Sequence, residues 1–86
     1  MTKGIVLIAV EPSRELEVYE NLLKMEETLE VTPVLGTVDF IVRIEGKDHD
    51  EIATTVIKKL RALSGVNSTK TFIEDEFMLQ LASLYH

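Results

Sequence analysis

The sequence predicts a single α+β domain in which a four-stranded antiparallel sheet carries two helices on one face. Strand-length apolar stretches alternate with two longer stretches whose apolar residues recur every three or four positions, as in amphipathic helices. The chain has 86 residues, 45% of them apolar, which suffices for one domain and not for two. Pro33 interrupts one strand and places it at a sheet edge, because proline donates no hydrogen bond to a neighbouring strand.

The first half of the chain predicts a strand, a helix and a second strand. Ile5 to Val10 is apolar throughout, as in a strand buried on both faces. Ser13 is the candidate N-cap of a helix over residues 14–27, whose apolar residues cover about 180° of its circumference. One sheet face covers less than that, so we expect part of this helix surface to contact another chain. Leu29 to Leu35, which contains Pro33, is the edge strand.

The second half predicts a hairpin, a helix and a last strand. Gly36 and Thr37 are too short a link for a parallel crossover, so Val38 to Ile44 returns as an antiparallel strand. Asp48, with Glu51 three residues later, resembles the capping box that opens a helix. Gly65 ends that helix. The remaining stretches are a strand at Val66 to Glu74 and a short apolar helix within residues 76–85.

Two right-handed strand-helix-strand units that share one sheet give the ferredoxin-like βαββαβ arrangement, with spatial order 4-1-3-2. This order puts the most apolar strands in the centre and the Pro33 strand at an edge. Both helices then cover one face of the sheet. The other face carries either Ile5, Leu7 and Ala9 or Val6, Ile8 and Val10. Both sets are apolar, so we expect a second copy of the sheet to cover that face, in a dimeric α/β-barrel type of assembly.

Composition and charge exclude several classes of function. The chain has no cysteine, and therefore no disulfide, thiolate nucleophile or cysteine metal site. Nine Lys and Arg against fifteen Asp and Glu give a net charge of -6, the wrong sign for a protein that binds DNA or RNA directly. The longest apolar run, Ile5 to Val10, is too short for a membrane span or a signal peptide. We expect a cytoplasmic protein that binds neither membranes nor nucleic acid.

The sequence also argues against catalysis and metal binding. Its imidazoles are His49, in a predicted helix cap, and His86, the last residue, so no Ser-His-Asp arrangement is credible. Asp48 and Asp50 flank His49, but adjacent residues at a helix start point in different directions. The acidic run at residues 74–76 is typical of a solvated turn. We expect no catalytic residue, no metal and no cofactor.

The hairpin from Gly36 to Asp39 is the most informative local feature. Glycine allows a positive φ and leaves backbone N-H groups accessible, and an aspartate at the mouth of the next strand can meet an ammonium group. These groups are the two halves of a site for an α-amino acid. Because such an aspartate contributes little core packing, its removal should leave the fold intact. Gly and Asp are also ordinary turn residues, so a purely structural turn remains the alternative.

Three segments together resemble a known family. They are the Gly36-x-x-Asp39 hairpin with the apolar strand Phe40 to Ile44, the strand end Val10-Glu11-Pro12, and the run Gly65 to Thr71. Over roughly residues 4–74 the chain looks like the ligand-binding module of the Lrp/AsnC regulators, called RAM for regulation of amino acid metabolism. The resemblance implies a ferredoxin-like module that dimerises sheet to sheet, assembles into rings of dimers and binds amino acids between dimers.

The resemblance also implies site residues, partners and domain limits. The implied ligand-binding residues are Gly36, Thr37, Val38, Asp39, Ser68, Thr69 and Thr71. Residues 1–74 would be the effector-binding domain and residues 75–86 a C-terminal extension. Full-length family members carry an N-terminal helix-turn-helix domain, so this chain resembles a stand-alone module. It would work by mixed assembly with a DNA-binding relative and serve transcriptional regulation of amino acid metabolism.

Two other functions are compatible with the predicted topology. One is an ACT-like regulatory module, which also binds amino acids but dimerises through sheet edges or helices. The other is a small dimeric α/β-barrel enzyme, such as a cofactor-free monooxygenase or isomerase, with a pocket between sheet and helices. Such a pocket usually contains a His, Tyr or Trp, and the chain has no Trp. The dimer interface and the lining of that pocket distinguish the three functions.

Overall fold

Seven regular elements make up residues 1–85, the part of the chain described by this computed structural model; His86 lies outside it. The strands are β1 (Thr2–Val10), β2 (Thr28–Pro33), β3 (Phe40–Gly46) and β4 (Val66–Ile73). The helices are α1 (Glu15–Leu23), α2 (His49–Thr55, continued by a π-helical turn over Val56–Leu60) and α3 (Glu76–Ser83). The strands form one antiparallel sheet in the order β2-β3-β1-β4. The predicted βαββαβ topology, with the Pro33 strand at an edge, is therefore confirmed.

Strand β1 lies inside the sheet and separates its two faces. Three alternate side chains of β1 point to the helices and are buried: Val6, Ile8 and Val10. They join α1, α2 and β3 in one hydrophobic core. The other three remain partly accessible on the opposite face, which we call the open face: Ile5, Leu7 and Ala9. The structure thus decides between the two sets that the sequence left equivalent.

Helix α1 is shorter than predicted and begins differently. Its N-cap is Arg14 rather than Ser13, whose φ of 73° lies in the left-handed region and whose N-H donates to Glu15 Oε1 at 2.7 Å. The helix ends at Leu23, four residues before the predicted residue 27, because the chain must turn there to enter β2 at Thr28. The Glu15 carboxylate thus occupies the turn before the helix, where Ser13 was expected to cap.

Part of the apolar surface of α1 is not covered by the protein's own sheet. Val18 and Leu22 are fully buried, whereas Leu16 is 69% and Leu23 53% exposed. Apolar surface is therefore accessible on α1, where the sequence predicts a contact with another chain.

The β2–β3 connection is wider than the two-residue hairpin predicted from the sequence. Strand β2 ends at Pro33 rather than Leu35, and β3 begins at Phe40 rather than Val38. The N-H of Val34 donates to the Asp39 carbonyl at 2.9 Å and closes the loop at its base. The N-H of Asp39 donates to the Ile8 carbonyl of β1 at 2.8 Å, so Asp39 is bound from both sides. This pairing leaves residues 35–38 as the free part of the loop.

Helix α2 begins at the predicted cap. The Asp48 carboxylate accepts the N-H of Glu51 at 2.9 Å. The Glu51 carboxylate reaches back to the N-H of Lys47 at 3.1 Å, one residue before the cap itself. The last turn is π-helical, with the N-H of Arg61 donating to the Val56 carbonyl at 2.9 Å. The cap and this wider turn let α2 bury its apolar stripe against β1 and β3, as predicted.

An ion pair between Glu27 and Lys59 connects the turn before β2 to the π-helical turn of α2. Only 19% of the Glu27 side chain is exposed, against 51% for Lys59. The hydrogen bond from Lys59 holds the pKa of Glu27 below its usual value, and the same contact raises the pKa of Lys59. Because the carboxylate is favoured in the folded protein, this contact links stability to pH.

We expect the Lys59→Met variant to lose less stability on acidification than the wild type. With a depressed pKa in the folded state, Glu27 stabilises the fold above the ordinary glutamate pKa of about 4.3. That contribution disappears as the pH falls through the lower folded-state pKa. Urea unfolding between about pH 6 and about pH 3 measures the difference. Lys58→Met is the matched control, because Lys58 forms no ion pair within residues 1–85. Equal acid sensitivity in the two variants would contradict this account.

Candidate functional site

The loop between β2 and β3 presents unpaired backbone donors to solvent. No backbone carbonyl within the described residues accepts the N-H of Gly36, Thr37 or Val38. Gly36 has a φ of 151°, which residues with a side chain rarely adopt, and a Cβ there would meet no atom within 4 Å. Gly36 and Thr37 are exposed and Val38 is half-buried. The loop therefore has the accessible N-H groups that the sequence predicted.

Asp39 has a structural role that sequence reasoning missed. Its Oδ2 accepts the N-H of Val10 at 2.7 Å, at the end of β1, while its own backbone pairs with Ile8 and Val34. The regular pairing between β1 and β3 ends at Ile8 and Phe40, so the carboxylate replaces a backbone acceptor beyond that point. Within residues 1–85 its Oδ1 receives no hydrogen bond and remains available to a ligand. Asp39 thus belongs both to the fold and to the loop, whereas the sequence suggested a residue of little structural weight.

The predicted hydroxyl groups of β4 lie on opposite faces of the sheet. Ser68 is opposite Ala9 and shares the open face, whereas Thr69 and Thr71 are opposite Ile8 and Val6 and share the helix face. Strand β1 separates all three from β3 and the Gly36–Asp39 loop. A single protomer therefore does not gather the seven predicted residues around one cavity.

Two shallow clefts follow the outer edge of β4 and share Arg61. The first, of about 320 Å³, is lined by Arg61, Val66, Asn67, Ser68 and Thr69. The second, of about 270 Å³, is more apolar and is lined by residues of α2 and β4 that include Arg61 and Thr71. The Arg61 Nε donates to Thr69 Oγ1 at 3.2 Å. The hydroxyls predicted from the sequence therefore line two clefts at the opposite side of β1 from Asp39.

Arg61 is the charged residue of these clefts, and the sequence did not reveal it. Arg61 faces β4 and has no carboxylate partner within residues 1–85. The residue that could have indicated this contact in the sequence is Gly65, which lies between Arg61 and Thr69. Its φ of 96° lets the chain turn back from α2 into β4.

Other charged side chains are already paired within the fold. Arg14 donates to Glu17 and to Glu11, and its hydrogen bonds to the Glu17 carboxylate raise the pKa of the Arg14 guanidinium. Arg43 and Glu74 form an ion pair at 3.0 Å. Within the described chain, no group of three or more His, Asp or Glu side chains is arranged to hold a metal ion. The described helices also include none that is long and apolar enough to cross a membrane.

Comparison with known proteins identifies the domain. A family model described as the Lrp/AsnC ligand binding domain matches residues 3–74. The HTH-type transcriptional regulator FL11 of Pyrococcus abyssi is 34% identical over 70 residues, which are 81% of this chain and 46% of FL11. The chain therefore spans about half the length of the curated relatives it matches.

Solved structures share the fold. The crystal structure of FFRP-DM1 superimposes with a TM-score of 0.83 and 29% identity, covering 87% of this chain and all of that one. A transcriptional regulator of Neisseria meningitidis, solved as a complex with L-Met, superimposes with a TM-score of 0.78 and 14% identity over 86% of this chain and 49% of its own. That second likeness concerns the fold alone. The family match over residues 3–74 and the 34% identity with FL11 show that the chain belongs to the Lrp/AsnC family, as a ligand-binding domain.

Proposed function

We propose that this protein is a non-catalytic, oligomeric module that senses an amino acid or a related small metabolite. In this proposal residues 1–74 bind the effector and residues 75–86 form an extension. The module acts in the cytoplasm on transcriptional regulation of amino acid metabolism. It does so by mixed assembly with a DNA-binding member of the Lrp/AsnC family, since its net charge of -6 opposes direct contact with nucleic acid. The family membership and the regulators among its relatives support this role.

The observation that carries the proposal is the pairing of free donors with a carboxylate in one loop. The N-H groups of Gly36, Thr37 and Val38 have no backbone acceptor within residues 1–85, and Asp39 Oδ1 is open beside them. An α-amino acid offers the complementary groups, a carboxylate for the N-H donors and an ammonium for Asp39. Each such charge-assisted contact is worth about 1.5–3 kcal/mol where water is partly excluded.

A neighbouring protomer would complete the site. The hydroxyls of Ser68, Thr69 and Thr71 lie across β1 from the loop of their own chain, so a ligand can meet both sets only at a seam between subunits. Arg61, which donates to Thr69, would add a cation for the ligand carboxylate. A ligand bound at such a seam shifts the assembly toward the form that binds it more tightly, which is how effector binding would be transmitted.

The two alternative functions have less support. An ACT-like module dimerises through edges or helices, whereas here the central strand also carries an apolar open face. A small α/β-barrel enzyme needs a reactive pocket between sheet and helices. The cleft there is lined by apolar residues with Thr71 and Arg61 and includes no His or Tyr. Tyr19 instead stacks on the Phe40 ring with 5.8 Å between centroids, a packing role.

We expect Asp39→Asn to weaken binding of an amino acid about ten- to a hundredfold, because it removes the charge that meets the ammonium. The asparagine oxygen can still accept the Val10 N-H, so stability should remain close to wild type. Asp39→Ala should also lose about 1–3 kcal/mol of unfolding free energy, because the Val10 N-H loses its partner. A thermal-shift screen of the twenty amino acids, followed by calorimetric titration, makes the measurement.

Asp48→Asn is the control for this experiment, because Asp48 caps α2 and should leave affinity unchanged. Unchanged affinity in a folded, normally assembled Asp39→Asn protein would remove Asp39 from the site. If no amino acid shifts the melting temperature of the wild type, the sensing proposal itself fails.

We expect Gly36→Val to weaken binding through the backbone. The native φ of 151° is unfavourable for valine, so the loop should move and displace its N-H donors. The space around Gly36 is open, so the core should stay intact. Calorimetric titration and thermal unfolding of the same sample separate the two effects. If residues 36–39 form only an ordinary turn, Gly36→Val should instead lower the melting temperature and leave the response to ligand unchanged.

We expect Leu7→Lys and Ile8→Lys to have different effects on assembly and folding. Leu7 lies on the open face, where a second sheet would bury the lysine, so this variant should become a folded monomer. Ile8 is fully buried under the helices, so a lysine there should unfold the protomer. Circular dichroism and sedimentation velocity make the comparison. A wild type that is monomeric at micromolar concentration would contradict dimerisation through this face.

A further inference from the structure

Helix α3 exposes apolar side chains that its own protomer does not cover. None of its residues is buried, although Asp75 caps the helix by accepting the Met78 N-H at 3.0 Å. Phe77 is 68% exposed, and Leu84 and Tyr85, just beyond the helix, are 76% and 87% exposed. A helix of eight residues is too short to be stable alone in water and normally depends on tertiary packing. Its stability therefore requires a surface that the protomer does not provide.

The apolar residues of α3 form two stripes. The first contains Phe77 and Leu81 and continues to Leu84 just beyond the helix, whereas the second contains Met78, Leu79 and Ala82. Between the second stripe and the open face of the sheet lies an almost wholly apolar groove of about 460 Å³. Its lining residues are Ile5, Glu74, Asp75, Met78, Leu79 and Ala82. This groove, which we call the α3 groove, extends the open face without a break, because Ile5 belongs to both.

The accessible surface of the protomer is larger than its mass predicts. A folded monomer of 9.7 kDa is expected to expose about 5,100 Å². This chain exposes 5868 Å², an excess of roughly 750 Å². A stable protein interface buries about 800 Å² on each partner, so the excess is close to the area that one interface would remove.

Charge favours a second copy of this chain as the partner. Residues 11–30 contain seven acids and two bases and carry most of the net charge of -6, so copies repel each other there. Residues 77–85 contain no charged side chain. Of the two acids that line the groove, Glu74 is paired with Arg43 and Asp75 accepts the Met78 N-H, so two copies can meet through α3 with little repulsion. Each copy offers both an uncovered stripe and an unfilled groove. A two-fold symmetric pair can therefore satisfy both helices at once.

We propose that α3 is a dimerisation arm that docks on a second copy of this chain. The apolar surface of one copy covers the Phe77, Leu81 and Leu84 stripe of the other and fills its α3 groove. The family match ends at residue 74, so this contact adds to whatever contacts the shared domain makes. The arm extends the dimer interface beyond the open face and does not depend on an effector at the Gly36–Asp39 loop.

Site-directed photocrosslinking tests the arm in the 86-residue chain, which contains no cysteine of its own. The Phe77→Cys variant is labelled at its cysteine with a benzophenone maleimide and mixed with an equal amount of ¹⁵N-labelled wild-type chain. We expect crosslinks that join light and heavy chains. Ser83→Cys, on the polar side of the same helix, is the control and should give few of them. Crosslinks that stay within one chain would show that α3 folds back on its own sheet and would overturn the proposal.

Charged substitutions give a second, independent readout. We expect Phe77→Asp with Leu81→Asp to raise the dimer dissociation constant by at least about tenfold in sedimentation equilibrium, with the sheet retained by circular dichroism. Ser83→Asp should leave association unchanged. Equal dissociation constants for the doubly substituted protein and for Ser83→Asp would overturn the proposal. The proposal would also be overturned if the Phe77, Leu81 and Leu84 stripe bound a different protein and not a second copy of this chain. Because the amino acid response is measured at the other loop, a failure of the sensor proposal leaves this result unaffected.

Discussion

The double apolar character of strand β1 is the constraint on which the rest of this structure depends. One set of its side chains is buried under α1 and α2 and forms the centre of the hydrophobic core. The other set lies on the open face, where water is excluded only in part. A central strand with two apolar faces needs two layers to cover it, and the protomer supplies one helical layer. The open face is therefore the part of the protomer that a second layer would have to cover.

The end of β1 is where folding and the candidate site meet. Asp39 accepts the Val10 N-H and thereby holds the start of β3 against β1 where regular pairing stops. The same contact orients the loop whose N-H groups remain free. Because Asp39 serves both purposes, Asp39→Ala removes its charge and its hydrogen bond together. Asp39→Asn has nearly the same shape, removes the charge and keeps an oxygen that can accept the Val10 N-H. In the proposed function, the bond between Asp39 and the Val10 N-H would connect a ligand at the loop to the central strand.

The site residues predicted from the sequence lie on opposite sides of β1, so one protomer does not bring them together. The loop at residues 36–39 lies on the β3 side of β1, whereas Ser68, Thr69 and Arg61 line a cleft beside β4. In the proposed function a seam between subunits would complete the site, because the area available for a core is limited in a chain this small.

The sequence by itself determined the elements, their order and the edge position of the Pro33 strand, because these depend on local periodicity and on the chemistry of single residues such as Asp48. Only the tertiary structure decided which face of β1 is buried, since both faces are equally apolar. The bond from Val10 to Asp39 joins residues 29 positions apart, and the contact of Arg61 with Thr69 depends on the turn at Gly65. Ser68 and Thr69 lie on opposite faces because side chains alternate along a strand, and the register of β4 decides that Thr69 is the one on the helix face. Strand register and chain reversal are set by packing of the whole core, and local pattern does not encode them.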